Sequence, residues 1–181
     1  NHTGRGISPN VRTALLHLAN EGKLIVIAAG NESSSLMRST YTASLVELAH
    51  APLMKGRLLF AGASSYKNGV ETLAEFSNYP GNSSFGKAQT YFIVAPGDHI
   101  KSTITGGRFG EKSGTSMAAP MVVGAASLLK QAFPHFKAED IAHLLLISAR
   151  RSSLEGKNLP QAHFGAGIVN LRSALERGRT L

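Results

Sequence analysis

The chain has no cysteine among its 181 residues. Disulfides and thiolate metal centres are therefore excluded, while compartment is left open, because bacterial secreted proteins often lack the residue. No apolar run is long enough to span a bilayer without interruption. The chain opens on Asn1, with neither an initiator methionine nor a signal peptide, so a processed or excised piece of a longer polypeptide is expected. Acidic residues are also scarce: eleven Asp and Glu stand against nineteen Lys and Arg, a formal charge of +8. Such an excess can mark a nucleic-acid or membrane partner. Here it is scattered through Arg12, Lys23, Arg38, Lys55 and Arg57, without a basic cluster interleaved with aromatics and without a phosphate-cradling glycine loop. The denser spots, Arg150-Arg151 and the tail Arg172, Arg177 and Arg179, read as solvated surface, so neither nucleic acid nor a membrane span is expected. With 43% apolar and only 17% charged residues, the chain reads as one globular unit with a sizeable core.

The pattern alternates helices with buried strands. Ser8-Pro9 caps a helix in which Val11, Ala14, Leu15, Leu18 and Ala19 recur at helical spacing until Gly22. Leu24 to Ala29 is an unbroken apolar run, predicted to be a strand buried on both faces and hence part of a parallel sheet. A helix is predicted over Tyr41 to His50, ended by Pro52, and a buried strand over Leu58 to Ala63. Lys67-Asn68-Gly69 has hairpin chemistry leading into Val70 to Phe76. Tyr91 to Ala95 is a further strand closed by Pro96-Gly97, and Gly106-Gly107 marks a tight turn. Arg108 to Lys112 makes a poor strand. Thr115 to Phe133 is a helix apolar all round, which must be covered on every side. Lys137 to Ala149 is another, with Ile141, Leu144, Leu145 and Ser148 on one side. Arg150 to Ala162 reads as a polar loop, and Asn170 caps a short final helix. The class implied is α/β, a parallel sheet flanked by helices on both faces.

Two element boundaries carry chemistry. Ser116 sits where a glycine-led turn enters a long helix, so backbone amides and the positive end of the helix dipole face any charge developing near its hydroxyl, as acyl transfer requires. Asn31 sits at the carboxyl end of a predicted parallel strand, where open α/β sheets place ligand sites, and its side-chain amide can donate to an oxyanion.

Gly114-Thr115-Ser116-Met117-Ala118-Ala119-Pro120 resembles the nucleophile motif of subtilisin-like serine proteases. Ala28-Ala29-Gly30-Asn31 resembles their oxyanion-asparagine segment, Phe76-Ser77-Asn78 the strand end that follows, and Ala95-Pro96-Gly97 the loop before the nucleophile. Phe164-Gly165-Ala166-Gly167-Ile168-Val169-Asn170 is similar to the family's closing turn, so the resemblance covers nearly the whole chain. It implies that residues 1–181 are the C-terminal portion of one subtilisin-like peptidase domain, with the sheet incomplete at its N-terminal side. Ser116 would attack a peptide carbonyl, and Asn31 with the Ser116 amide would hold the oxyanion. Ala28, Ala29, Gly30 and Thr115 would line the substrate site, and Glu32 would lie near its rim. Secretion or a cell-envelope location follows from the family. No cofactor is implied; structural calcium is allowed in a parent domain, although Asp98, Glu111, Glu139 and Asp140 lack the alternating oxygen spacing of a ligand loop. The 85 positions from Asn31 to Ser116 exceed the interval of compact subtilisins, and the extra length falls in 33–55, as in larger bacterial secreted and autotransporter members.

The departure from the family is the triad. Its catalytic Asp and its His, in a His-Gly-Thr setting, belong well upstream of the oxyanion asparagine, where this chain has only thirty residues. His2-Thr3-Gly4 has the wrong order, and His17, His50, His99, His135, His143 and His163 all read as ordinary surface or packing histidines. Losing the His or Ser of such a triad removes on the order of a millionfold in turnover, a figure that comes from subtilisin itself. The chain alone is therefore expected to be inactive, with an upstream segment or companion chain supplying Asp, His and the missing strands around a polypeptide substrate.

Four other readings carry less. A pseudoprotease would keep the cleft and bind peptides without cutting them. An α/β-hydrolase would use Asp140 and His163 after a serine elbow, but needs a strand running directly into Ser116. Ser127-Leu128-Leu129-Lys130 matches a Ser-x-x-Lys pattern inside the apolar helix and reads as core packing with a solvent-reaching lysine. Sedolisins, which share the Gly-Thr-Ser motif, use an acidic oxyanion residue where Asn31 stands here.

Overall fold

The computed structural model describes residues 6–82, 88–153, 156 and 158–181; the His2-Thr3-Gly4 stretch and part of the 150–162 loop lie outside the described residues. The elements run α1 (Pro9–Asn20), β1 (Ile25–Ala28), α2 (Thr40–Ala49), β2 (Leu58–Lys67), β3 (Val70–Leu73), β4 (Phe92–Pro96), β5 (Ile100–Ile104) and β6 (Arg108–Lys112). Helices α3 (Thr115–Ala132), α4 (Ala138–Ser148), α5 (Gln161–Phe164) and α6 (Leu171–Gly178) complete the chain.

β2 organises the sheet. β1 lies parallel along its first half, Ile25 opposite Leu58 and Ala28 opposite Ala61. β4 lies parallel on the other side, from Phe60 opposite Phe92 to Ser64 opposite Pro96. Beyond Ala63, β2 runs on through a turn with positive φ at Asn68 and Gly69, the chemistry of a tight hairpin, into antiparallel β3. Because Ser64 pairs with both Leu73 and Pro96, β3 takes over from β1 on one side of β2. The sheet therefore splits where β1 ends, and the segment after Ala28 leaves through that split.

The period-two alternation of β2 builds two cores. Leu59, Ala61 and Ala63, with Ile93 and Ala95, face α3, α4 and α6, meeting Val122, Leu129, Ile141, Leu144 and Leu145. Leu58 and Phe60, with Phe92 and Val94, face α2, its flanking 3-10 turns and Phe164. Each fully enclosed side chain such as Phe60 or Phe92 contributes about 1.5–3 kcal/mol relative to exposure. The 33–55 stretch is part of this second layer: Leu36, Leu45, Val46, Leu48 and Met54 are all buried. A bidentate ion pair joins the layers' edges. Arg57 Nε and Nη2 donate to Glu139 Oε2 and Oε1 at 2.7 and 3.0 Å, and Arg57 Nη1 donates to the Ala19 carbonyl.

Three expectations are corrected. The Leu24–Ala29 strand is only half-buried along Ile25–Ala28, because β1 is the edge of the sheet among the described residues and its second side is open. Helix α3 is not enclosed: Met121, Val123 and Leu128 are 43–50% exposed, on the face turned away from the sheet. On that face Ser127 Oγ donates to the Val123 carbonyl, while Lys130 Nζ donates to the carbonyls of Pro134 and Phe136 at 2.9 and 2.6 Å, closing the helix end rather than packing a core. Finally, Arg108–Lys112 is a strand. It needs no apolar face, because it pairs in an exposed antiparallel hairpin with Ile100–Ile104 across the Gly106-Gly107 turn. Being outside the main sheet, it is not the strand of a hydrolase elbow.

Candidate functional site

The segment leaving the split in the sheet is fixed by one buried amide. Asn78 is 4% exposed. Its Nδ2 donates to the Ala29 carbonyl at 3.0 Å and to Glu32 Oε2 at 2.6 Å, and its Oδ1 accepts from the amides of Glu32 and Ser34 at 3.1 and 3.0 Å. The Asn78 amide in turn donates to the Gly30 carbonyl at 2.9 Å. Gly30 has φ +103°, and a Cβ there would stand 2.5 Å from both Asn78 Nδ2 and Glu32 Oε2, so only glycine fits. Glu32 is exposed as a residue, yet one of its carboxylate oxygens is held back against Asn78. The sequence pointed to Asn78 only as a strand end; a buried side-chain amide beside a glycine-rich bend is the signal that could have found it.

Asn31 meets the nucleophile segment through Thr115. The Thr115 amide donates to Asn31 Oδ1 at 2.9 Å, Thr115 Oγ1 donates to the same oxygen at 3.0 Å, and the Gly30 amide donates to Thr115 Oγ1 at 3.1 Å. Since a backbone N–H must meet an oxygen, this fixes which end of the Asn31 amide meets Thr115 and leaves Nδ2 as a donor with no acceptor among the described residues. Thr115 is 1% exposed, so it sits beneath the site and joins the end of β1 to the start of α3.

Ser116, the second residue of α3, is exposed, and its hydroxyl has no hydrogen-bond partner among the described residues. The helix is 18 residues long with no acidic side chain in its first turn, so its N-terminal amides present an uncompensated positive end to this hydroxyl. Ala28 and Gly30 are half-buried and Ala29 buried at the mouth of the split. Ser116, Asn31, Gly30 and Thr115 are thus brought together from segments 84 to 85 residues apart.

No histidine or carboxylate bonds Ser116 among the described residues. His50 packs on Tyr91, His163 on Tyr79 and His135 on Phe136, while His17 and His143 are exposed on helix flanks. Asp140 caps α4 by accepting from the Lys137 amide at 2.8 Å, so neither partner of the hydrolase reading joins a triad. Among the described residues no group of three or more His, Asp or Glu side chains is gathered as for a metal ion, and no helix is long and apolar enough to cross a membrane.

An exposed serine at a helix N-terminus, next to a threonine bonded to a side-chain amide at the carboxyl end of a parallel strand, in a sheet covered on both faces, places the chain in the subtilisin-like class of α/β folds. The subtilase family, Peptidase_S8, matches residues 2–167, and the chain belongs to that family. It is similar to the "Extracellular serine protease" of Serratia marcescens, 32% identical with 90% of this chain and 16% of the relative covered. It is also similar to "Subtilisin BL" of Lederbergia lenta, 31% identical with 92% and 51% covered. The "Extracellular basic protease" of Dichelobacter nodosus is 33% identical, with 95% and 26% covered. Among solved structures, the prenylagaramide maturation protease PagA matches at TM-score 0.71 and 24% identity, over 96% of this chain and 57% of that one. The patellamide maturation protease PatA matches at TM-score 0.71 and 22% identity, over 99% and 59%. The chain spans about half the length of Subtilisin BL and less of the two longer relatives.

Proposed function

We propose that this chain is the C-terminal portion of a subtilisin-like endopeptidase domain and carries the acyl-accepting half of its site. The observation behind the proposal is the Asn31–Thr115–Ser116 arrangement, a hydroxyl unpartnered among the described residues and next in the chain to the threonine that bonds Asn31, together with two donors, Asn31 Nδ2 and the Ser116 amide. In this reading Ser116 Oγ attacks the carbonyl carbon of a peptide bond lying along Ala28–Gly30, and its proton passes to a histidine. The two donors hold the tetrahedral oxygen anion. Collapse breaks the C–N bond, the histidine returns the proton to the leaving amine, and water hydrolyses the acyl-serine by the same route.

The histidine and its orienting aspartate come from an upstream segment or a companion chain. Two open surfaces support this. Among the described residues the outer edge of β1 pairs with no further strand, a state that folded proteins ordinarily cover. Beside it, an open groove of about 750 Å³, floored by Leu24, Val26, Val123, Ala126 and Ile141, runs between β1, α3 and α4. A strand added at β1 and a helix laid along α3 would cover both and bring a side chain to the mouth of α3. The names of two relatives, each printed as an "Extracellular" protease, favour secretion or the cell envelope.

The test is cleavage of a fluorogenic peptide by the full-length native protein. Activity abolished by Ser116→Ala, and absent from residues 1–181 alone, supports the proposal. Peptide binding without cleavage by the full-length protein would make it a pseudoprotease instead.

A further inference from the structure

We propose, on the peptidase reading above, that Asp98 is a positioning residue for Ser116, tying the segment that delivers the nucleophile to the central strand of the sheet. Asp98 follows Pro96-Gly97 at the end of β4, and its side chain is only 9% exposed. Its Oδ2 accepts from Ser65 Oγ of β2 at 2.6 Å, and its Oδ1 accepts from Ser113 Oγ at 2.7 Å. Ser113 Oγ also accepts from the His99 amide at 2.9 Å. A second rung runs alongside: the Gly97 amide donates to the Ser64 carbonyl at 3.1 Å, and the Gly114 amide donates to the Gly97 carbonyl at 2.8 Å. The rungs are close because Gly97 has no side chain; a Cβ there would lie 2.6 Å from Ala63 Cβ and 2.9 Å from the Gly114 carbonyl.

The two rungs end on Ser113 and Gly114, three and two residues before Ser116. The β5–β6 hairpin leaves at Asp98 and returns at Ser113, so the carboxylate closes the hairpin's base and keeps motion of its exposed arms from reaching the first turn of α3. An ionised carboxylate suits this position because both hydroxyls donate to it. Their bonds, Ser65 first and then Ser113, hold the carboxyl below the usual range against the opposing effect of burial. The other charges facing the group are Lys67 Nζ and His99 Nε2, each 3.8 Å away, and Glu111, 3.6 Å from His99 Nδ1. Lys67, His99 and Glu111 are well exposed, so these contacts contribute little beside the two hydroxyls.

The experiment uses the full-length native protein and its Asp98→Ala, Asp98→Asn and Ser65→Ala variants. Two quantities are read: hydrogen exchange at the His99 and Gly114 amides, corrected for intrinsic rate, and the second-order rate of fluorophosphonate labelling at Ser116. Asp98→Ala is expected to speed exchange about tenfold and slow labelling by about 10- to 100-fold, with Asp98→Asn and Ser65→Ala between it and wild type. Wild-type protection should fall only at acid pH, and the Asp98→Ala profile should lose that acid step. Wild-type exchange and labelling in Asp98→Ala would overturn the inference; if that variant does not fold, Asp98→Asn carries the same comparison. Wild-type protein that resists labelling altogether overturns the peptidase reading instead, and the exchange profile alone then decides the role of Asp98.

Discussion

Asn31 and Thr115 share one oxygen: Asn31 Oδ1 accepts both the amide and the hydroxyl of Thr115, at 2.9 and 3.0 Å. The carbonyl end of the Asn31 side chain is thereby saturated by Thr115, and its NH2 end has no hydrogen-bond acceptor among the described residues. An amide held in this way can stabilise a developing anion without reorganising when the charge appears.

Replacing Asn31 by alanine should therefore lower turnover by about 10²–10³ in the full-length protein, a range that comes from subtilisin itself, while KM changes little. Steady-state kinetics on one peptide substrate separate the two parameters. A rise in KM at unchanged kcat would assign Asn31 to ground-state binding instead.

Thr115→Val keeps the shape and removes the hydroxyl, leaving the Gly30 amide without its acceptor. Urea denaturation should show a loss of about 1–3 kcal/mol, and turnover should fall as Asn31 loses one of its two anchors. Thr115→Ser retains both bonds and should stay near wild type in each measurement.

Arg57 and Glu139 are mostly enclosed, with side chains 11% and 24% exposed, and their bond is bidentate. Arg57→Ala removes both bonds to the partly solvated carboxylate and should cost about 1–3 kcal/mol by denaturant titration. The double replacement Arg57→Met with Glu139→Leu should recover most of that loss, because an apolar pair leaves no unpaired charge.

Acid should destabilise the fold through two carboxyls. The Arg57 hydrogen bond lowers the pKa of Glu139, and the Ser65 and Ser113 hydroxyls lower that of Asp98. A carboxyl held lower in the folded state contributes stability above its unfolded pKa, near 4, and loses it as the pH falls through the folded value. Melting temperature should thus drop below about pH 4, and Glu139→Gln and Asp98→Asn should each flatten that drop while lowering the plateau at neutral pH.

The open face of α3 predicts a separation of effects. Lysine at Val123 and Leu128, which are 46% and 50% exposed, should change the stability of residues 1–181 alone by no more than about 0.5 kcal/mol each. The same pair should reduce self-association of that chain on gel filtration and disrupt the full-length protein, where a covering segment needs the face apolar. Full-length protein unaffected by both lysines would show that nothing packs there.

Much of this was legible because strong local signals agreed with the fold. Gly22, Pro52 and Pro134 ended runs where elements end, and the apolar stretches at Leu58 and Phe92 became the two best-buried strands. Ser116 and Asn31 could be placed because both stand at element boundaries, which composition marks well. Burial was misread where it depends on neighbours: the strand ending at Ala28 and the helix carrying Val123 have interior composition but open sides. The hairpin strand Arg108–Lys112 was missed because main-chain pairing with Ile100–Ile104 holds it and leaves no alternation to read. The supporting residues, Asn78 and Asp98, act through contacts 15 to 49 residues distant, which no local pattern encodes.

The most direct measurement of the central claim is fluorophosphonate labelling of the full-length native protein, with the modified residue located by peptide mass. A single adduct on Ser116, lost in Ser116→Ala and absent when residues 1–181 are treated alone, is the result this account predicts. Labelling of the isolated chain at the full-length rate, or an adduct on any other serine, would contradict it.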